Sequence, residues 1–326
     1  MRVLVTGATG FVGRHVVNSF GRRGHDVLAL VRPAHAQDHS IWEGDVQVRT
    51  ADLRTASGLA DALRGVDAVV HLAAQVTGSD EARFTGTAAA TEHLVDAMRS
   101  AGVRRLVVAS SYAVYDWSRA GPAIAVDSPL EDQVYERDGY AVAKLWQERV
   151  VQRAAERGDI DLTVLRPGYV WGGDELVPGV GQTLGAVQLV FGPLAHPPLT
   201  YVENCADAFV TATEDQRALG RTYNVVDAQA VTTWRYARDF MRLSGEPVRC
   251  LPVPYGLAYG LVRVVHFVAR LVLGHRMRLP SIFIPRRFEA RFRPARHSRG
   301  ELERDLAWRP PHSYVESLHR AFGVAR

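Results

Sequence analysis

The stretch VLVTGATGFVG, residues Val3–Gly13, joins a short apolar run to three glycines spaced Gly-x-x-Gly-x-x-Gly. A continuous run of β-branched and aliphatic residues is typical of a buried parallel strand. The residues that follow, Gly13–Arg23, show the apolar periodicity of a helix. The stretch therefore predicts a strand, a glycine-rich turn and a helix, in that order.

This turn has the features of a phosphate-binding site. Glycine lets the backbone approach a pyrophosphate closely, and the N-terminus of the helix supplies free N–H groups and partial positive charge. The spacing differs from the commoner Gly-x-Gly-x-x-Gly, but its position between strand and helix favours phosphate binding over a purely structural turn. The candidate cofactor-binding residues are Gly7, Thr9, Gly10, Phe11, Val12 and Gly13.

The same alternation of apolar runs and amphipathic stretches continues along the chain. Further strands are predicted at Val27–Val31, Ala68–Leu72, Leu106–Ala109, Leu162–Leu165 and Thr222–Val226, and helices at Ala88–Ser100 and Tyr140–Arg157. Strands that alternate with helices imply βαβ units and a Rossmann-type, doubly wound parallel α/β sheet. We predict an NAD(P)-binding domain over residues 1–170, to which 200–228 contribute, and a smaller C-terminal region, 171–326, that mainly binds substrate.

The bulk composition is that of a globular protein. Of 326 residues, 47% are hydrophobic and 23% are charged, so a disordered chain is excluded. The two cysteines are too few for a disulfide framework, and the sequence opens without a charged leader and apolar signal region. We therefore expect a reducing compartment and a cytoplasmic location.

The end of the second strand indicates which dinucleotide binds. NAD-binding chains usually carry Asp or Glu here, which binds the ribose 2′-hydroxyl. This chain has Val31 followed by Arg32, and a guanidinium binds a 2′-phosphate with two hydrogen bonds. The sequence favours NADP over NAD, the alternative being that Arg32 is a solvated loop residue. Arg14, at the start of the first helix, is a second candidate for phosphate contact.

Only one of the 39 Lys and Arg residues is a lysine, Lys144. A lysine in a chain that uses arginine elsewhere suggests chemistry that a permanently charged guanidinium cannot perform. It lies four residues after Tyr140, on the same face of the predicted helix. A nearby ammonium would lower the pKa of a phenol and make it a usable acid or base. Ser110 and Ser111, at the end of a strand, could hydrogen-bond a substrate oxygen.

Together these motifs identify the chain as a member of the extended short-chain dehydrogenases/reductases, the family of NAD-dependent epimerases/dehydratases and 3β-hydroxysteroid dehydrogenases. The resemblance spans most of the chain, and its motifs occur in the family's order. They are Thr6–Gly13, Ala51–Leu53, Val69–Ala74, Ser110–Tyr115, Tyr140–Lys144, Leu165–Gly168 and Tyr201–Asn204.

The resemblance implies roles for individual residues. Asp52 should contact the adenine ring beside Leu53, and Ala73 and Ala74 should line the cofactor groove. Ser111 should polarise the substrate oxygen, Tyr140 should exchange its proton, and Lys144 should hold the nicotinamide ribose. Backbone groups at Pro167, Tyr169 and Val170 should flank the nicotinamide. Thr87 takes the place where the family often carries Asn, which puts a proton relay there in doubt. The family often forms dimers, so a homodimer is a further expectation.

The substrate is less closely defined by sequence. Tyr201–Asn204 resembles the 3β-hydroxysteroid dehydrogenase branch, and Leu30–Pro33 resembles dihydroflavonol-reductase-like members. We predict NADP-dependent interconversion of an alcohol and a ketone on an apolar, steroid- or flavonoid-like molecule. A nucleotide-sugar epimerase or dehydratase is the alternative enzyme, and a non-catalytic NADP-binding sensor is the alternative from another class. No metal-ligand spacing is evident.

The segment Tyr255–Gly274 is strongly apolar but is interrupted by Arg263, His266 and Arg270, which predicts a poor transmembrane span. Several arginines follow it. Peripheral membrane contact through residues 255–299 is one interpretation. We favour the other, a packed helix of the substrate-binding region beside a solvated basic surface. Binding of nucleic acid is not expected, because no recognition motif accompanies the charge.

Overall fold

The computed structural model describes residues 1–35, 41–173, 180–229, 231–245, 247–273, 279–298 and 300–323. In chain order the strands are β1 (Arg2–Thr6), β2 (Asp26–Val31), β3 (Gln47–Thr50), β4 (Ala68–His71), β5 (Arg105–Ala109), β6 (Ala123–Ile124), β7 (Asp161–Pro167), β8 (Tyr169–Trp171), β9 (Gly181–Leu184), β10 (Val187–Phe191), β11 (Leu199–Tyr201), β12 (Thr222–Val225), β13 (Arg249–Val253) and β14 (Arg296–His297). The α-helices are α1 (Phe11–Arg22), α2 (Leu59–Ala62), α3 (Asp80–Phe84), α4 (Ala90–Ala101), α5 (Gly139–Glu156), α6 (Val202–Glu214), α7 (Thr233–Ser244), α8 (Tyr255–Leu273), α9 (Pro285–Phe292), α10 (Gly300–Leu306) and α11 (Tyr314–Phe322).

The main sheet has the strand order β12-β7-β5-β4-β1-β2-β3, and each neighbouring pair is parallel. This arrangement confirms the predicted Rossmann-type α/β fold. The predicted strand at Thr222–Val226 is β12, which pairs with β7 at the edge of this sheet. Late-sequence residues thus complete a sheet that the N-terminal half builds.

Alternation along the strands sends apolar side chains to both faces of the sheet. Val3 and Val5 pack into a core with α1 and α6, whereas Leu4 packs on the other face with α2, α4 and α5. Helices therefore cover both faces. The carboxyl ends of the strands are left to form the edge where ligands bind in folds of this type.

Strand β3 is absent from the sequence prediction. It has four residues, and Gln47 and Thr50 at its two ends are exposed at the edge of the sheet. Such a strand carries no continuous apolar run. Tertiary pairing with β2, and not local periodicity, explains its formation.

Helix α8 corrects one expectation about the apolar segment. We favoured a packed helix, but only 11% of the residues in Tyr255–Val272 are buried. By length and composition alone, this is the one helix in the described ranges that is suited to cross a membrane, despite its arginines. A single stripe, which contains Ala258 and Val262, packs against α9. No described residue covers the opposite face enough to bury it, which is why the packed-helix expectation is wrong.

Candidate active site

A groove of about 230 Å³ lies across the carboxyl ends of β1 to β4. Parallel strands bring their carboxyl ends to one edge, so loops far apart in sequence meet there. The structure places eight of the sequence-predicted cofactor residues on the wall of this groove: Gly7, Thr9, Gly10, Arg32, Asp52, Leu53, Ala73 and Ala74.

The glycine turn is built for close backbone approach. Gly7 has φ of +67°, and a Cβ placed there would lie 2.7 Å from the backbone nitrogen of Ala73. Gly10 caps α1 without a side-chain hydrogen bond, and the first turn carries no acidic residue. The N–H groups of that turn therefore lack a side-chain acceptor, and the helix dipole favours an anion beside them. These residues fit the pyrophosphate of a dinucleotide.

The other three turn residues belong to the first turn of α1. Phe11 and Val12 are partly buried, and they pack against two different apolar clusters. Gly13 is buried beneath Gly7, so close that a Cβ would overlap the Gly7 carbonyl oxygen. The structure does not place these three on the described groove wall. Their direct contact with cofactor remains a prediction, and the clear role of Gly13 is to let the helix approach the turn.

Gly13→Ala is expected to weaken NADPH binding at least about tenfold, because the added methyl group must displace the Gly7 carbonyl and with it the phosphate-binding turn. Fluorescence titration with NADPH measures this. Gly21→Ala in the same helix is the matched control, since a Cβ at Gly21 has no neighbour within 4 Å. It should keep NADPH affinity and stabilise the protein by about 0.5–1 kcal/mol. Equal NADPH affinity in both variants would contradict the role of Gly13.

The ribose end of the groove carries more positive charge than the sequence predicted. Arg54 lines the groove with Arg32, and sequence reasoning missed it although it follows the Ala51–Leu53 motif directly. Its guanidinium donates to Asp52 at 3.0 and 2.7 Å. This hydrogen bonding lowers the pKa of Asp52 to about 2. Asp52 is thus an ionised, paired carboxylate beside two guanidinium groups.

The structure separates the two serines that end β5. The hydroxyl of Ser110 is buried and donates to Glu148, which is itself paired with Arg166. Ser111 instead lies beside Tyr140, where its side chain opposes the rise in the pKa of the phenol. Ser110 therefore has a structural role, whereas Ser111 and Tyr140 form a pair of hydroxyls at the end of the sheet.

The electrostatics of Tyr140 differ from the sequence-based expectation. We expected Lys144 to lower the pKa of Tyr140, but that pKa is raised. Burial of the phenol is the main cause, opposed by the hydrogen bond with Ser111 and aided by the negative charge of Asp138. The i, i+4 spacing does place both residues on α5, but the ammonium is anchored elsewhere.

Lys144 donates to the carbonyl oxygen of Ala109 at 2.7 Å and to Oε1 of Gln147 at 2.9 Å. A lysine has three N–H donors, so one remains beyond these two bonds. Burial lowers the pKa of Lys144 to about 7, against the opposing attraction of Glu148. Near neutral pH this side chain can therefore change its charge, which no arginine could do.

A buried chain of hydrogen bonds connects Lys144 to the groove. Gln147 donates to the hydroxyl of Thr91, which donates to the carbonyl oxygen of Thr87. Thr91 must then accept from Nε2–H of His71. Burial lowers the pKa of His71 to about 3, so its ring is neutral and Nδ1 accepts from Thr6.

This chain explains His71 and Thr87 without a catalytic role. His71 is fully buried and polar groups satisfy both of its nitrogens. The hydroxyl of Thr87 accepts a hydrogen bond from the backbone N–H of Gln75. Gln75 is one of the residues that line the groove. Through Thr91 of α4 and Gln147 of α5, the two residues connect the end of β4 to α5, and thereby help to position Lys144 relative to the groove.

A second cavity of about 440 Å³ opens beside Tyr140. One part of its wall is apolar and aromatic, with Tyr112, Trp117, Phe191 and Phe292 among its residues. Another part carries arginines: Arg137, Arg287, Arg291 and Arg293. The volume suits a drug-sized or steroid-sized ligand.

The segment after β7 forms the wall between sheet and cavity. Tyr169 lines the cavity, and its backbone N–H donates to Pro198 at 2.6 Å. Pro167 is buried at the end of β7, and Val170 is a partly buried residue of β8. Of these three residues, Tyr169 alone lines the cavity together with Tyr140. Their contact with nicotinamide stays a prediction.

The structure brings together one cluster of acidic residues that their spacing in the sequence did not predict. Asp116, Glu131 and Asp132 bring their carboxylates within 4.8 Å of one another. Arg286 pairs with Glu131 at 2.7 Å, and Arg137 does so at 3.1 Å. Guanidinium groups thus supply the countercharge, and the cluster ties α9 to the loops that surround the cavity.

Residues 3–225 match the model of the NAD dependent epimerase/dehydratase family. The chain belongs to this family. It is an NAD(P)-dependent oxidoreductase of the extended short-chain dehydrogenase/reductase type. The matched range contains the glycine turn, Ser111, Tyr140 and Lys144.

Individual relatives within the epimerase/dehydratase family differ in activity. The chain is 32% identical to a 3 beta-hydroxysteroid dehydrogenase/Delta 5-->4-isomerase of Mycobacterium tuberculosis, over 75% of this chain and 70% of that protein. It is 25% identical to a 2-alkyl-3-oxoalkanoate reductase of Stenotrophomonas maltophilia, over 98% of both. The UDP-glucose 4-epimerase of Thermus thermophilus, solved in complex with NAD, superposes with a TM-score of 0.71 at 22% identity, covering 99% and 98% of the two chains. This last likeness shows the shared fold.

Proposed function

We propose that this protein interconverts an alcohol and a ketone on a largely apolar small molecule, with NADP as the cofactor and Ser111, Tyr140 and Lys144 as catalytic residues. The observation that carries the proposal is the position of Tyr140, with Ser111 as its neighbour, on the wall of a partly aromatic cavity of about 440 Å³. A non-catalytic dinucleotide sensor has no need of this pair. The two relatives named for hydroxysteroid and oxoalkanoate substrates support the same chemistry.

In this proposal the groove binds the cofactor and the cavity binds the substrate. When bound, NADP(H) supplies or accepts the hydride at the substrate carbon. In the direction of reduction, Ser111 donates a hydrogen bond to the ketone oxygen, and Tyr140 gives that oxygen its proton. The buried phenol is a weak acid, so the proton leaves it only when the developing alkoxide is present. Lys144, whose remaining N–H is unused by Ala109 and Gln147, would hold the nicotinamide ribose of the bound cofactor.

NADP is preferred in this proposal because the groove presents Arg32 and Arg54 together. Asp52, which could repel a phosphate, is already paired with Arg54. Arg32→Ala is expected to raise the KM for NADPH about tenfold or more, because a charge-assisted, bidentate contact with the 2′-phosphate is lost. The KM for NADH should change less than about twofold. Initial rates with each dinucleotide measure both values.

Arg64→Ala is the matched control for Arg32→Ala. Arg64 is exposed and lies outside the groove, and among the described residues its ion-pair partner is Asp61, three positions away. The Arg64→Ala variant should leave the KM values for NADPH and NADH unchanged. If Arg32→Ala raises the KM for NADH as much as that for NADPH, Arg32 does not bind the 2′-phosphate. NAD then becomes the better assignment for the cofactor.

The arginines of the cavity favour a second candidate function, nucleotide-sugar epimerisation or dehydration. Arg287, Arg291 and Arg293 give one part of the wall the positive charge that a diphosphate would require. A panel of steroid, flavonoid, aliphatic ketone and nucleotide-sugar substrates separates the two candidates. Dinucleotide oxidation with the apolar ketones supports the main proposal. Conversion of a nucleotide sugar without net dinucleotide oxidation would replace it.

A further inference from the structure

Helix α8 presents an apolar face to solvent. Seven of its aliphatic and aromatic side chains are between 48% and 75% exposed. They are Leu257, Leu261, Val264, Phe267, Val268, Leu271 and Val272. Contiguous apolar exposure on this scale marks an interaction surface, since single exposed apolar residues are common but a continuous face of them is not.

The geometry of a helix explains how this face forms. At 100° per residue the seven side chains occupy one arc of about 140°, and no charged residue of α8 lies within it. The stripe on the other side is held by protein, because Ala258 and Val262 are buried in a cluster with Phe288 of α9. Arg263 and Arg270 lie together along one edge of the exposed arc, and neither forms an ion pair with a residue that the structure describes.

The charged residues within and next to α8 in the sequence are all arginines. The sequence contains no Asp or Glu between Glu246 and Glu289. Seven arginines lie in that interval: Arg249, Arg263, Arg270, Arg276, Arg278, Arg286 and Arg287. Arg286 is paired with Glu131, but Arg263 and Arg270, beside the apolar face, form no ion pair with a described residue. An apolar face bordered by two such arginines is complementary to a bilayer that carries anionic headgroups.

We propose that α8 binds peripherally to an anionic lipid bilayer, lying in the plane of the surface with its seven apolar side chains among the acyl chains. A helix that spans a bilayer meets lipid around its circumference, whereas one stripe of α8 packs on α9. A second copy of the chain is a poorer occupant. Two-fold pairing of antiparallel helices through the same face would bring the Arg263 and Arg270 edges together, with like charges opposed.

Docking in this way places the cavity at the membrane. Phe191 and Phe292 line the cavity, and both also belong to the aromatic cluster that holds Ala258 and Val262 of α8. An apolar substrate that dissolves in the bilayer would therefore enter the cavity over a short path. This consequence for access rests on the proposed function, whereas the docking of α8 does not.

Vesicle flotation of the full chain tests the docking. The protein is mixed with vesicles of phosphatidylcholine alone or of equimolar phosphatidylcholine and phosphatidylglycerol. We expect it to float with the anionic vesicles at low salt, with at least about tenfold weaker binding to the neutral ones. The double variant Val264→Glu with Val268→Glu should reduce anionic-vesicle binding at least about tenfold.

The matched control is Leu219→Glu with Val315→Glu, which replaces two exposed aliphatic residues outside α8. It should float like the parent. Arg263→Gln with Arg270→Gln leaves the apolar face intact, and should remove most of the preference for anionic over neutral vesicles. NADPH titration of every variant checks that the fold is intact, and it is independent of whether any ketone is reduced.

Four outcomes would overturn the proposal. The parent protein fails to float with anionic vesicles, or the α8 glutamate variant floats as well as the parent. Alternatively, sedimentation shows a vesicle-free dimer that the glutamate variant dissociates, in which case a second copy covers the face. Retention in membranes after alkaline carbonate extraction would exclude the interfacial geometry and indicate a span.

Discussion

Tyr140→Phe is expected to lower kcat for ketone reduction by about 10²–10⁴-fold, the range in which a positioned general acid contributes. The variant loses only the hydroxyl that lies beside Ser111 and reaches the cavity. The cofactor groove does not include Tyr140 among its described wall residues. NADPH affinity should therefore stay within about threefold of the parent value. Steady-state kinetics and fluorescence titration measure the two quantities separately.

Tyr112→Phe is the matched control, because Tyr112 lines the same cavity and differs from phenylalanine by the same atom. We expect a change in kcat of less than about fivefold. Turnover in Tyr140→Phe equal to that of the parent would remove Tyr140 from the mechanism. A loss of NADPH binding equal to the loss of turnover would make its role structural.

Glu148→Ala is expected to reduce the free energy of unfolding by about 3–5 kcal/mol, the range found when one partner of a buried ion pair is removed. Glu148 and Arg166 are 1% and 3% exposed, and they are joined at 2.9 and 2.7 Å. Without the carboxylate, the Arg166 guanidinium stays buried with no countercharge. Ser110 also loses its acceptor. Urea unfolding, followed by circular dichroism, measures the change.

Two further variants show whether the buried charge is the cause. Glu148→Leu with Arg166→Met removes both charges and should recover more than half of the lost stability, since a well-packed apolar pair can replace a buried ion pair. Asp61→Asn breaks an ion pair whose side chains are 74% and 81% exposed, and should leave the unfolding free energy nearly unchanged. If Glu148→Ala is equally mild, the buried pair is not a main support of the fold.

Much of the fold follows from patterns that are local in the sequence. The apolar runs of β1, β2, β4, β5 and β7 were each predicted to within about two residues, because a strand buried on both faces needs a continuous apolar run. The same holds for α5, where helical geometry alone puts Tyr140 and Lys144 on one face. Strand β3 was missed, because its formation depends on pairing at the sheet edge.

For the candidate site too, some features follow from local sequence and others only from the tertiary structure. The sequence by itself determined the glycine turn, the tyrosine–lysine spacing and Arg32, since each depends on residues close together in the chain. The tertiary structure alone decided that Ser110 is buried against Glu148, that Arg54 joins the groove, and that burial raises the pKa of Tyr140. It also decided that α8 lies exposed. Desolvation and long-range contacts depend on which distant segments pack together, and no local sequence pattern records that.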